Sequence, residues 1–298
     1  MLKQLMVLLY FEEINAYFTN DFNIWLMEFY GSDVQATLNR ADLGWMGSFG
    51  GKQYQNQTLA RDPIVFVHGV SNTAGEQPFI GASYFLASGY DWSELYATTY
   101  ANGAEGNPTQ WAKYTMNCKY VKQVRGLIVA VHLYTGRAVD VIAYSLGVPV
   151  ARKAILGGLC VDTRENLGGP LTSSIDTFVG IAGPNHGVMP KVGFASLPAC
   201  AFNLMPICNQ NTGLFSGICP LESAFLKDIN SAAGYEGRYI FTIYSKADQF
   251  VGYNICGKIT SQITGQNDEK VYDKKDHDKT FNDSLPVQLQ MVLHHVVI

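Results

Sequence analysis

The stretch VDVIAYSLG, at residues 139–147, carries the strongest indication of the fold. Most of its first six residues are β-branched or aromatic, which is typical of a buried strand. Ser145 follows between Ala143 and Gly147, and a helical pattern begins directly after it. A strand, a serine between small residues and a helix form a nucleophile elbow, although glycine is commoner than alanine at the first small position. We therefore predict that Ser145 is a nucleophile; the same pattern also fits a serine that only caps a helix.

The alternation of strand and helix continues on both sides of this stretch. Helical patterns occupy residues 108–134 and 146–156, and Gly136 follows the first as a helix terminator. This alternation predicts an α/β fold with a mostly parallel central sheet and helices on both faces. Ligands of such sheets bind beyond the carboxyl ends of the strands, so the residues that follow each strand are site candidates. The predicted strands are residues 64–67, 94–100, 138–144, 177–182 and 239–244.

A nucleophilic serine needs an acid and a histidine, and in this kind of fold both follow the serine in the chain. Asp248 comes shortly after the predicted strand at residues 239–244, and we predict that it is the acid. Three histidines lie further on. His277 stands in a polar stretch that predicts a loop, whereas His294 and His295 end a predicted terminal helix. We predict that His277 is the general base. The non-catalytic alternatives are that Asp248 is an ordinary turn aspartate and that His277 is a solvated loop histidine.

Two backbone groups complete the predicted site. Attack on a carbonyl places negative charge on its oxygen, which must be stabilised by hydrogen-bond donors. One donor is the N–H after the nucleophile, at Leu146, and the other follows the first predicted strand, at Val70. No His, Asp or Glu cluster has the spacing of metal ligands, so neither a catalytic metal nor another cofactor is expected.

The composition indicates a globular, exported protein. Of its 298 residues 47% are hydrophobic and 15% charged, and a net charge of −4 argues against nucleic acid as a partner. No apolar run is long enough for a transmembrane segment. Residues 1–16 are similar to a short signal peptide, with a terminal helix as the alternative, and residues 17–298 are expected to form one domain.

The cysteines also favour an exported protein. They are even in number and contain no C-x-x-C pair, so we expect disulfides and a secreted protein. Cys118 and Cys160 are predicted to pair, because the two predicted helices that flank residues 138–144 can lie side by side on one face of the sheet. The six are Cys118, Cys160, Cys200, Cys208, Cys219 and Cys256.

Five pieces of the chain match one known family, in the family's order. They are FVHGV at 66–70, VDVIAYSLG at 139–147, VGIAGPNHG at 179–187, YSKADQFVG at 244–252 and HDKTFNDS at 277–284. From about residue 56 onward, the chain resembles the class 2 lipases, a family of secreted α/β hydrolases. The resemblance implies an α/β-hydrolase fold and a site made of Ser145, Asp248 and His277, with Val70 and Leu146 as the oxyanion hole. It implies a lipid ester as the substrate, met at a lipid–water interface.

We therefore expect a serine lipase or carboxylesterase that works through an acyl-enzyme. A thioesterase, acyltransferase or peptidase with the same site is an alternative, because the fold does not fix the leaving group. A non-catalytic lipid-binding protein is another. The long segment at residues 183–238 is expected to form an acyl-binding wall or partial lid, or else a disulfide-stapled excursion. The apolar residues expected in that wall are Phe194, Leu197, Phe202, Leu204 and Met205.

Overall fold

The computed structural model is built around one central β-sheet. The strands of the described residues are β1 Ser48–Phe49, β2 Ile64–Val67, β3 Leu95–Thr98, β4 Val139–Tyr144, β5 Ile175–Ile181, β6 Lys191–Val192, β7 Ala195–Ser196, β8 Tyr239–Ser245, β9 Asn254–Ile255, β10 Lys258–Ile259 and β11 Asp268–Tyr272. Seven of them form the central sheet in the order β1-β3-β2-β4-β5-β8-β11, where β1 is antiparallel to β3 and the other neighbours are parallel. The structure describes residues 17–189, 191–192, 195–196, 200, 205–215 and 219–298.

Helices cover both faces of the sheet. The helices are α1 Asn20–Tyr30, α2 Ser32–Asn39, α3 Gln77–Ala87, α4 Cys118–Thr135, α5 Gly147–Leu156, α6 Ala224–Ile229, α7 His277–Asn282 and α8 Leu285–His294. One face carries α1, α2, α4, α5 and α6, and the other carries α3, α7 and α8. Among the described residues, no helix combines the length and apolar character needed to cross a membrane.

Two hydrophobic cores result from the two-residue period of the strands. Val65 and Val67 of β2 point into the core with α4 and α5, whereas Ile64 and Phe66 point into the core with α3 and α8. All four side chains are buried. A strand covered on both faces needs apolar residues at every position, which is why β2 reads as a continuous apolar run.

The predicted α/β architecture is confirmed, with local differences. The helix predicted at residues 108–134 is wrong in its first part, where Pro108–Lys113 is a 3-10 helix. Met116 donates its backbone N–H to Thr212, and the Asn117 side chain caps α4 by accepting from the N–H of Tyr120, so the α-helix begins only at residue 118. The predicted terminator, Gly136, ends α4 in a left-handed conformation.

The cysteines are all paired. The predicted bond between Cys118 and Cys160 is confirmed, with their Cα atoms 5.5 Å apart, and it links the start of α4 to the segment after α5. The other two bonds, Cys200–Cys208 and Cys219–Cys256, lie in or reach into the segment at residues 183–238.

Two sequence predictions fall wholly or partly outside the described residues. The signal peptide predicted at residues 1–16 is one. The acyl-binding wall is the other, since Phe194, Leu197, Phe202 and Leu204 lie outside them, whereas Met205 packs partly buried against the core.

Candidate active site

The chain turns sharply where β4 meets α5. Ser145 has a φ of +53°, a left-handed value that is strained for a residue with a side chain, and its N–H donates to the carbonyl of Ile181 at 2.8 Å. A Cβ on Gly147 would lie 2.3 Å from the carbonyl oxygen of His68, so only glycine permits this approach of helix to strand. The strained turn and the close packing leave the serine side chain at the carboxyl edge of the sheet.

The loop after β2 lies directly against the serine. A Cβ built on Gly69 would lie 2.9 Å from the Cβ of Ser145. The N–H groups of Val70 and Leu146 donate to no acceptor among the described residues. Neither predicted donor of the oxyanion hole is therefore engaged by a described residue.

Ser145, Asp248 and His277 are joined by hydrogen bonds. Nε2 of His277 lies 2.9 Å from Oγ of Ser145, and Nδ1 lies 2.6 Å from Oδ2 of Asp248. The other carboxylate oxygen of Asp248 accepts from the N–H groups of Phe250 and Val251, at 2.9 Å each. This geometry favours the tautomer with its proton on Nδ1, which leaves Nε2 able to accept the serine proton.

The prediction of a loop around His277 is wrong. His277 is the first residue of α7 and is only 6% exposed. The Asp276 side chain accepts from the N–H of Lys279 as an N-cap, so the cluster of charged residues marks a helix start. The N–H of His277 donates to Oε1 of Gln249 at 3.0 Å, a contact that the sequence did not predict. Gln249 directly follows Asp248 in the chain, and this neighbourhood is the sequence feature that could have indicated it.

A second histidine supports the loop that carries Val70. His68 is buried, stacks on Tyr100 with 4.1 Å between ring centroids, and places Nδ1 2.7 Å from the carbonyl of Gly69. Burial lowers the pKa of His68 to about 4, so its ring is neutral near neutral pH. Tyr100 in turn donates its hydroxyl to the carbonyl of His68 at 2.9 Å.

One group of potential metal ligands occurs among the described residues, at Cys118, Cys160 and Asp162. The two cysteines are bonded to each other, so they offer no thiolate for a metal ion. This cluster therefore does not qualify as a metal site.

The mostly parallel sheet and the serine turn at its carboxyl edge define an α/β hydrolase. The family model described as Lipase (class 2) matches residues 61–290, and the chain belongs to this family. The resemblance inferred from the sequence motifs is thereby confirmed.

Solved structures agree on the fold. Lipase B of Aspergillus fumigatus is similar with a TM-score of 0.55 at 12% identity, over 84% of this chain and 56% of that one. The mature form of lipase BlEst2 from Bacillus licheniformis gives 0.52 at 15% identity, over 82% of this chain and 96% of that one. The chain thus spans little more than half of the Aspergillus protein. No curated protein gives a significant match.

Proposed function

We propose that the protein is a secreted serine lipase or carboxylesterase that uses Ser145 as nucleophile, His277 as general base and Asp248 as the acid. The observation that carries this proposal is the unbroken hydrogen-bond chain from Oγ through the imidazole to the carboxylate. A serine hydroxyl is a weak nucleophile until a base takes its proton, and this chain supplies an oriented base.

The reaction follows from these contacts. Ser145 attacks the ester carbonyl while Nε2 of His277 takes the serine proton, and Asp248 stabilises the imidazolium. The N–H groups of Val70 and Leu146 bind the oxyanion of the tetrahedral intermediate. The imidazolium then protonates the leaving alcohol, and an acyl-enzyme remains. Water, activated by the same imidazole, releases the fatty acid.

Labelling tests the serine mechanism. A fluorophosphonate probe should label the wild-type protein at Ser145, identified by mapping the modified peptide. The folded variant Ser145→Ala should not be labelled and should lose ester hydrolysis. Labelling at another residue, or comparable activity in the variant, would refute the assignment.

We propose medium or long acyl esters as the preferred substrates. Phe250 supports this, because its ring is 59% exposed and lies edge-on to the His277 ring, with 5.5 Å between centroids. An exposed apolar ring beside the base offers acyl carbons a surface to cover. Each buried methylene is worth about 0.8 kcal/mol, so two to four more carbons should raise kcat/KM by roughly one to two orders of magnitude.

The substrate proposal is tested with p-nitrophenyl esters from acetate to palmitate and with an emulsified triacylglycerol, all in the presence of a chelator. We expect activity to rise beyond acetate and fatty acid to be released from the emulsion. A strict preference for acetate without such release would indicate a small-ester esterase.

Export is supported by the three disulfides, which account for all six cysteines. We propose residues 1–16 as the signal. Expression in a secreting host should place the protein in the medium with an N-terminus beyond this segment. Full-length protein retained in the cells would contradict this proposal.

A further inference from the structure

Tyr144 precedes the nucleophile in the chain, and its ring lies against that of the base. It is the last residue of β4, directly before Ser145, and its side chain is 2% exposed. Its ring centroid lies 5.0 Å from that of His277, and its hydroxyl donates to Oδ1 of Asp278 at 2.8 Å. Asp278 is the residue that follows His277 in α7. Two neighbouring residues of the elbow therefore contact two neighbouring residues of the base helix.

The alternation of side chains along β4 causes this contact. Ala143 faces the core that contains α4 and α5, so Tyr144 faces the core that contains α7 and α8. There the ring of Phe281 packs against Tyr144 at 5.2 Å, in an edge-on arrangement. The aromatic ring is thus fixed from one side by Phe281 and from the other by His277.

The hydroxyl of a buried tyrosine needs a hydrogen-bond partner, because a buried polar group without one has lost its bonds to water and gained none in return. Asp278, which is itself exposed to solvent, supplies this partner. Burial, together with the charge of Asp278, raises the pKa of Tyr144 above its usual range, so the hydroxyl keeps its proton as a donor. The contact is therefore a stable donor–acceptor pair.

We propose that Tyr144 and Asp278 are positioning residues, whose hydrogen bond holds the His277 ring in line with Oγ of Ser145. The inference rests on the proposed function, because it gives these residues a part in the same serine mechanism. Without the bond, the elbow contacts the base helix through the hydrogen bond between Nε2 and Oγ and through the apolar ring contacts of Tyr144 with His277 and Phe281, which do not fix a polar direction. A small displacement of a base from its nucleophile can cost about a hundredfold in rate.

Charge and position are separate effects of Asp278, and the test must distinguish them. The acidic groups near the imidazole are Asp248, which bonds Nδ1, Asp278, and Asp276, whose pKa is held below its usual range by hydrogen bonds from Lys279. The variant Asp278→Asn removes a charge but keeps an oxygen that can accept from Tyr144. The variant Tyr144→Phe removes the bond but keeps the charge.

The experiment measures kcat and KM on a soluble short-chain p-nitrophenyl ester for Tyr144→Phe, Asp278→Ala, Asp278→Asn and the double variant Tyr144→Phe/Asp278→Ala. We expect the first two to lower kcat about tenfold with KM nearly unchanged. The double variant should be no slower than either single one, because both remove the same bond. Asp278→Asn should keep most of the wild-type kcat.

Tyr96→Phe is the matched control. The hydroxyl of Tyr96 is also buried, and it donates to the backbone carbonyl of Ser93 at 2.7 Å. Tyr96, however, lies on β3 near the amino end of the sheet, away from Ser145. We expect this variant to lose thermal stability without losing kcat.

Three results would overturn the inference: an unchanged kcat in folded Tyr144→Phe, multiplying effects in the double variant, or equal losses in Asp278→Asn and Asp278→Ala. These results leave the proposed function intact if the wild-type protein is labelled at Ser145. A wild-type protein that is neither labelled nor active refutes the proposed function itself.

Discussion

Two buried polar clusters flank α5, and they differ in the groups that they join. In the first, Ser145, His277 and Asp248 form a hydrogen-bonded chain that ends on the serine hydroxyl. In the second, the side chain of Arg152, on α5, is 1% exposed and pairs with Glu236 at 2.8 Å. The first cluster joins a hydroxyl to an imidazole, whereas the second pairs two opposite charges and leaves Oε2 of Glu236 without a hydrogen-bond partner among the described residues.

The Arg152 cluster connects distant segments. Its guanidinium donates to Oδ1 of Asn230, Oδ1 of Asn185 and the carbonyl of Ile229, at 3.0, 3.3 and 2.8 Å. Asn185 lies after β5, whereas Ile229 and Asn230 lie at the end of α6. The arginine thus connects both of these segments to α5 by hydrogen bonds. A guanidinium with every nitrogen engaged is held by protein groups, and removal of one partner of such a buried pair is strongly destabilising. Burial of charge alone therefore does not mark a candidate active site, whereas a serine hydroxyl bonded to an oriented imidazole does.

The same substitution, acid to amide, should therefore have opposite consequences in the two clusters. Asp248→Asn should lower kcat by about three to four orders of magnitude, since the amide no longer holds the productive histidine tautomer. Its unfolding free energy should change little by comparison. Steady-state kinetics and urea unfolding of one preparation check both statements. A kcat within tenfold of wild type would remove Asp248 from the proposed mechanism.

Glu236→Gln should reverse this pattern. It leaves the buried guanidinium of Arg152 without its counter-charge, which costs about 3–5 kcal/mol of unfolding free energy. Below its lowered melting temperature, the variant should keep its kcat. A large loss of kcat in protein that is still fully folded would show that the second cluster also acts on the reaction.

Removal of the Cys118–Cys160 bond tests a second support of α5. The bond closes a loop across a sequence separation of 42, and the chain-entropy account gives about 4 kcal/mol for such a loop. Cys118→Ala/Cys160→Ala should lower stability by up to this amount with kcat preserved at low temperature. Differential scanning calorimetry together with kinetics measures both, and an unchanged melting temperature would contradict the prediction.

His68, beside the candidate site, provides the smallest expected effect. His68 has a lowered pKa, about 4 against an ordinary 6.5, so the unfolded chain binds a proton there before the folded one does. Stability should accordingly fall as pH decreases from 7 to 5, by about 2 kcal/mol from this residue. His68→Phe, which can still stack on Tyr100, should show a weaker pH dependence in urea unfolding. An equal slope in both proteins would exclude this role for His68.

Several elements were not predicted from the sequence, each for a physical reason. β11 has the sequence DEKVY, and its residues are exposed or only partly buried at the edge of the sheet, so it lacks the apolar run that reveals the inner strands. The loop predicted around His277 rested on the charged stretch DKKDHD at 273–278, which precedes and begins α7. Its apolar contacts, through Phe281, are made with elements far away in the chain.

Patterns along the chain were enough to predict the alternating α/β order, an elbow at Ser145, Asp248 and His277 as candidates, and the Cys118–Cys160 pair. These predictions depend on strand and helix periodicity, on small residues next to a turn, and on the order of elements along the chain, which short stretches encode. The contacts of Tyr144 with Asp278 and of Arg152 with its partners became evident only in the folded chain. Those contacts join residues 33 to 134 positions apart, and no local pattern specifies which distant polar groups will meet when the sheet brings its loops together.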